Sequence, residues 1–266
     1  QHMKKYLLMT TALLLMAVAS IYGANKKEEV RPMPQFNVVN VMGNVVVIFE
    51  QSNKYEVHLT GDEDEIAQIL TDVSGESLNI RRRSIQVGNV SVETSSSAKV
   101  YVYVRSPEVK TFNLAGSGDI LAEELNAKQV VFNLAGSGRI MLGFINAESA
   151  RFNNAGSSYI SVENVKADNI SMSMSGSGSI NCIIKKATNL TCSLVGSGKI
   201  FLGGNVDKYS KSIFGTGKIH DQELSYRSMS MNETYNNGNN RESVVSNGND
   251  KKSKPQSPNG IINAKP

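Results

Sequence analysis

Between Phe112 and Leu224 apolar residues return at a step of 20, at fixed offsets within each step. Ile120, Ile140, Ile160, Ile180 and Ile200 form one column, which Ile219 continues after a final step of 19. Two residues further on stand Ala122, Leu142, Val162, Cys182 and Leu202. Leu125, Ile145 and Val165 come next, then Ala127, Ala147, Ala167 and Ala187. Val130, Ala150, Ile170 and Leu190 follow, and Phe132, Phe152, Met172 and Cys192 after them. Leu134, Asn154, Met174 and Leu194 close the set. Within each stretch these columns alternate with mostly polar positions, which is strand periodicity. Between stretches the phase slips by one residue, twice. Such a slip turns the inward set outward unless the chain bends there. Each coil is therefore expected to hold three short strands and three corners. One corner is a glycine–hydroxyl–glycine triplet: Gly116-Ser117-Gly118, Gly136-Ser137-Gly138, Gly156-Ser157-Ser158, Gly176-Ser177-Gly178, Gly196-Ser197-Gly198 and Gly215-Thr216-Gly217. Glycine tolerates the positive φ and the close backbone approach that such a corner needs.

Upstream, the Val-rich halves of Phe36–Phe49 flank Gly43-Asn44, which reads as a tight turn between strands. Tyr55 to Leu59 is another strand. Asp62-Glu63-Asp64-Glu65 opens a helix, with Asp62 as its cap and Ile66, Ile69 and Leu70 as its buried stripe. Leu78 to Arg83 returns to strand, and Arg81-Arg82-Arg83 is expected to form a solvated edge. The coil frame extends backward through Lys99-Val100 and Asn79-Ile80. About seven coils at about 4.8 Å each predict a rod about 34 Å long. The fold class is all-β: a right-handed parallel β-helix with 20-residue coils, capped by N-terminal strands and one short helix. The β-helix domain is placed at 35–224, with its cap at 35–95.

Composition sets what lies outside this domain. Met3-Lys4-Lys5 followed by the apolar run Tyr6 to Ala19 predicts a secretory signal peptide over 1–23. The run is short for a membrane span. After Leu224 the chain turns Asn-, Ser-, Lys- and Pro-rich, and 228–266 is expected to be a disordered polar tail. A net charge of +4 is too mild to predict nucleic-acid binding. Export permits a disulfide between Cys182 and Cys192. Their columns lie on different walls, however. Facing sheets pack about 10 Å apart, whereas bridged Cβ atoms need about 3.8 Å. Buried free thiols are expected.

Candidate chemistry is sparse. The three histidines are scattered, and no zinc-ligand spacing exists. The triplets lack the spacing of a serine nucleophile elbow. A strand follows each glycine corner, so no helix N-terminus is there to receive a phosphate. Of the residues after the triplets only Asp119 is a carboxylate, against repetitive calcium binding. No catalytic residue, metal or cofactor is assigned. Two features remain as a candidate ligand surface. Asn113, Asn133 and Asn153 stack in register on an outward column that continues as Ser173 and Ser193. The third coil breaks pattern with Asn154, Ser158 and Tyr159.

The signal peptide, Phe36-Asn37-Val38-Val39, Gly61-Asp62-Glu63-Asp64, Leu78-Asn79-Ile80 and the Gly-Ser-Gly-x-Ile coils together resemble one family. It is the family of bacterial envelope proteins described as putative auto-transporter adhesin, head GIN domain. The resemblance covers roughly 35–222. It implies a β-helical fold and an exported location, in the periplasm or at the cell surface of a Gram-negative bacterium, and it carries over no catalytic residues. Nothing after residue 225 resembles the alternating strands of a translocator barrel. The expected function is a non-catalytic envelope or surface protein that binds a glycan or protein through a flat polar wall. It is not expected to be an integral membrane protein once the signal is cleaved. The alternatives are a polysaccharide-processing enzyme using Glu123, Glu124 or Glu163, and a purely structural envelope protein.

Overall fold

The computed structural model describes residues 26–87, 90–93, 100–237 and 240–248. The expected signal peptide lies outside the described residues. Among the described residues the fold is all-β, 80% strand with one tiny helix, and it forms a β-solenoid of about 6 turns.

Five successive coils are single long strands: β11 (Asp119–Gly136), β12 (Arg139–Gly156), β13 (Tyr159–Gly176), β14 (Ser179–Gly196) and β15 (Lys199–Gly215). Each pairs in parallel with the next, Ile120 with Ile140, Ile140 with Ile160 and so on up the stack. The predicted columns are the buried ones, except that Ala127 and Ala147 are only partly buried against the core, so the alternation in the sequence is the alternation between core and surface. The three expected short strands are continuous, however. Between β11 and β12, and between β12 and β13, one residue drops out of the ladder at each of the two inner corners, as Glu123 and Lys128 do, and pairing resumes at once; between β13, β14 and β15 the first corner also shifts the register. The bend is absorbed without ending the strand.

Only the triplet interrupts it. There the first glycine is required twice over. Gly136 sits at φ 117°, and a Cβ on it would lie 2.5 Å from the carbonyl oxygen of Gly116 in the coil below. Inside, Phe112, Phe132 and Phe152 stack with centroids 5.1 and 5.5 Å apart. Met172 and Cys192 continue that column. Both cysteines are free and buried. Desolvation pushes each thiol well above its ordinary range, which leaves them inert apolar fillers.

The N-terminal region departs from the expected frame. β2 (Val38–Met42) pairs with β10 (Thr111–Gly116), and β3 (Val46–Gln51) pairs with β11. β2 and β3 do not pair with each other. Gly43 N–H donates to Ala115 O and its carbonyl accepts from Gly118 N–H, both at 2.9 Å. Gly43 is thus a solenoid corner in the triplet position, not a hairpin turn. Below this coil lie β6 (Ser77–Arg82), paired with β2, and β9 (Tyr101–Ser106), paired with β3. Val102 rather than Val100 falls in the column of Ile120, with Val47 between them. Counting back by 20 failed because the coil formed by β2 and β3 is inserted between strands that follow it in the chain.

β1 (Lys26–Pro32) and β4 (Glu56–Asp62) extend the sheet antiparallel beyond β9. The helix α1 is one turn, Glu63–Ile66. Asp62 is extended and makes no side-chain capping bond. Ile66 and Ile69 reach the core as expected. Ile69 does so from β5 (Ile69–Ser74), whose antiparallel pairing with β6 ends the helical stripe before Leu70. Arg82 is not part of a solvated edge. Its side chain is 5% exposed, and Nη1 lies 2.7 Å from Glu65 Oε2.

At the other end, Lys211 takes the inward slot above Cys192 and pairs with Asp221 at 3.1 Å. Strand also replaces much of the expected disordered tail. β16 (Lys218–Asn237) pairs with β15, and β17 (Asn240–Gly248) pairs antiparallel with β16. Backbone pairing with the coil below carries the chain through sequence too polar to signal a core. Residues 249–266 lie outside the described residues.

Candidate functional site

The outward column of asparagines is a hydrogen-bonded ladder on the wall built by β10 and the last third of each coil. Asn153 Nδ2 donates to Asn133 Oδ1 at 2.7 Å, Asn133 to Asn113 at 2.7 Å, and Asn113 to Asn40 at 2.7 Å. Asn40 donates to Asn79 at 2.9 Å, and Asn79 to Asp72 Oδ2 at 3.0 Å. Every amide therefore points its donor the same way, toward one carboxylate, which also receives Arg81. The Asn79 amide first, and Arg81 second, hold Asp72 below its ordinary range. Each amide below Asn153 spends one N–H and one oxygen lone pair on the ladder and keeps one of each, while Asn153, at the top, spends only an N–H. The outcome is a row of identically oriented, half-buried amides at the strand spacing of about 4.8 Å. Ser173, Ser193 and Ser212 extend the column upward.

Asn113, Asn133 and Asn153 were legible in the sequence as a 20-residue repeat. Asn40 and Asn79 were not. They lie 73 residues from Asn113 and 39 from Asn40, respectively, and only the inserted coil brings them into line.

The third coil is irregular inside, not outside. Asn154 is 3% exposed and Ser158 1%, so neither can line a surface. Ser158 Oγ donates to Asn154 Oδ1. The Asn154 amide donates to the carbonyls of Ser158 at 3.1 Å and Ser179 at 3.2 Å. The two substitutions satisfy each other. In the regular coils the matching glycine has no room, since a Cβ at Gly138 would meet Leu114 Cδ2 at 3.0 Å and one at Gly198 would meet Met174 Sδ at 2.3 Å. Tyr159 lies on a different wall, half-buried, and its hydroxyl accepts from Asn181 Nδ2 at 3.1 Å. The six candidate residues thus divide among a polar wall, the core and a second wall.

That second wall carries an outward row in register: Ile48, Leu121, Met141, Ser161, Asn181, Phe201 and His220. Beside it Arg139 grips Asp119 with two bonds of 2.9 and 2.6 Å. Of the candidate acids, Glu123 and Glu163 are exposed at the corner position that Gly143 takes in the coil between them, and Glu124 accepts from Asn126 at 3.1 Å. Among the described residues no three His, Cys, Asp or Glu side chains gather as a metal site. Among them, too, no helix is long and apolar enough to cross a membrane.

Solved structures share this fold. A protein described as a putative adhesin from Parabacteroides distasonis is 20% identical, with a TM-score of 0.64, covering 80% of this chain and 94% of its own. A putative adhesin from Parabacteroides merdae is 18% identical, with a TM-score of 0.62, covering 79% and 92%. A putative lipid binding protein from Parabacteroides distasonis is 24% identical, with a TM-score of 0.59, covering 74% and 96%. At these identities the likeness establishes the fold. No curated protein matches the chain. The family described as "Putative auto-transporter adhesin, head GIN domain" matches residues 35–183 and 150–235, taking in the glycine corners, the amide ladder and the closing coils, and the chain belongs to that family.

Proposed function

We propose that this protein is a non-catalytic adhesive module, exported to the periplasm or surface of a Gram-negative bacterium, that binds a glycan or protein on its polar wall. The family's description supports an adhesive role at the cell surface. The single observation that carries the choice of wall is the amide ladder, Asn153 to Asn79, closed by Asp72. Its unused N–H groups and lone pairs repeat at a fixed step on a rigid, flat face. Such a face meets a ligand that presents hydroxyls or peptide groups at regular intervals without loss of side-chain entropy, because the ladder already holds each amide. The test is a glycan array probed with wild type and with Asn133→Ala plus Asn153→Ala. Retention of the wild-type profile by the folded double variant eliminates the wall. An empty array for wild type supports the purely structural reading. Release of reducing or unsaturated ends from polysaccharide, lost in Glu163→Gln, overturns the non-catalytic reading.

A further inference from the structure

We infer that the polar wall recognises a second copy of this chain, the two copies meeting face to face along their amide columns on a two-fold axis parallel to the stack. This rests on the reading of that wall as the adhesive face and names its partner. Three outward columns build the wall, led in β10 by Thr111, Asn113 and Ala115. One row comes from each of β2, β10 and β11 to β15, seven in all. Within these three columns Arg151 is the single charged side chain. The neighbouring walls differ. Arg139, Lys199 and Lys218 are exposed on one, and Lys166 and Lys186 on the other. Depletion of charge is the mark of the buried centre of a protein–protein contact, not of a solvated face.

A two-fold contact sets one patch against itself. With the axis along the stack, the middle column meets its own counterpart, and the two flanking columns meet each other row by row. Their sizes then match in opposite order. Val131 faces Ala135 of the second copy, and Arg151 faces Ala155 of the second copy. In the top row the first flank shrinks to Ser210 and the other grows to Phe214, which stands 42% exposed. In the middle column each amide meets the same amide. From Asn133 down to Asn40 each keeps one N–H and one lone pair, so two facing amides can exchange N–H···O bonds. The ladder holds them in place before contact, which lowers the entropic cost of association. The other face-to-face arrangement puts the axis across the stack. It lays each flank on itself and, with the rows centred, sets Arg151 against its own copy, a like-charge contact. Seven rows at about 4.8 Å and three columns at about 6.8 Å cover about 700 Å² on each copy. The total of about 1,400 Å² falls within the range of stable complexes.

Sedimentation velocity on the full chain, from micromolar to millimolar concentration, tests this. Wild type should pass from monomer to dimer. Ala135→Arg places a bulky charge against Val131 of the second copy and should raise the dissociation constant at least about 10-fold with circular dichroism unchanged. Ala155 reports the orientation. Ala155→Glu sets a carboxylate opposite Arg151 of the second copy and should tighten the dimer, whereas Ala155→Arg should loosen it. Arg151 of the same copy lies about 13 Å along the strand, too far to pair with the new carboxylate. The inference is overturned if wild type stays monomeric at millimolar concentration, if folded Ala135→Arg associates like wild type, or if Ala155→Glu loosens the dimer as Ala155→Arg does. A monomeric wild type whose glycan-array profile still depends on Asn133 and Asn153 would remove the second copy as partner and leave the wall as the adhesive face, so the two readings fail separately.

Discussion

At the scale of single residues, backbone proximity decides more than side-chain chemistry. Gly136 combines a φ of 117° with a carbonyl 2.5 Å from where a Cβ would stand. Gly136→Ala must move two coils apart or flip a peptide. The conformation alone costs about 1–3 kcal/mol, and we expect the urea midpoint to fall by at least that equivalent. Asn154 and Ser158 invite a double-mutant cycle. Asn154→Leu alone strands a buried hydroxyl and should cost about 1–3 kcal/mol. Adding Ser158→Gly restores the pattern of the neighbouring coils and should recover most of that loss in thermal melts. Additive effects would mean the two substitutions do not compensate each other.

At the scale of the element, the ladder acts as one unit because every amide donates in the same direction. Removing a middle member breaks two bonds, so Asn133→Ala should cost more than Asn153→Ala, which breaks one at the end. Ser173→Asn should lengthen the ladder and raise the melting temperature. Acid should act on its other terminus. Asp72 titrates lower in the folded chain than its ordinary value of 3.8, so the folded state binds fewer protons there. The stability this gives is complete above that ordinary value and is lost as pH falls through the lower, folded one. Urea midpoints of wild type and Asp72→Asn should therefore differ at pH 7 and converge toward pH 2. A constant difference would place the effect of Asp72 outside its charge. Asn40, Asn79 and Asp72 show why this element was only partly legible: the repeat revealed three amides, and the other members joined through strands out of chain order.

At the scale of the molecule, each coil leans on its neighbours, so damage should spread along the stack and fade with distance. Phe132 sits between two parallel rings, and Phe132→Ala should cost about 3–5 kcal/mol. Hydrogen exchange should speed up most in β10, β11 and β12 and least in β15. Ile160→Asp should go further and abolish the β-sheet circular dichroism, because an unpaired carboxylate would enter a sealed core. The buried thiols report on the same cooperativity. Alkylation should label neither Cys182 nor Cys192 in the native protein and both in denaturant without reductant. Zero labels in denaturant would mean a disulfide.

The sequence by itself determined the coil: its length, its inward columns, its glycine corner, the free cysteines and the outward asparagines of three successive turns. Those features are local or strictly periodic, and a periodic chain stacks like on like, so residue i finds residue i+20 without further information. The sequence did not reveal that the coil of β2 and β3 lies between strands made later in the chain, that Gly43 is a corner, or that Arg82 is buried. It did not reveal that Asn154 and Ser158 face each other indoors, or that polar sequence up to Gly248 is strand. Each of these depends on which backbone edge is free to pair when the chain arrives. Edge pairing is satisfied by main-chain N–H and C=O groups that every residue except proline offers alike. Side-chain pattern is silent about that choice, and only the assembled stack makes it.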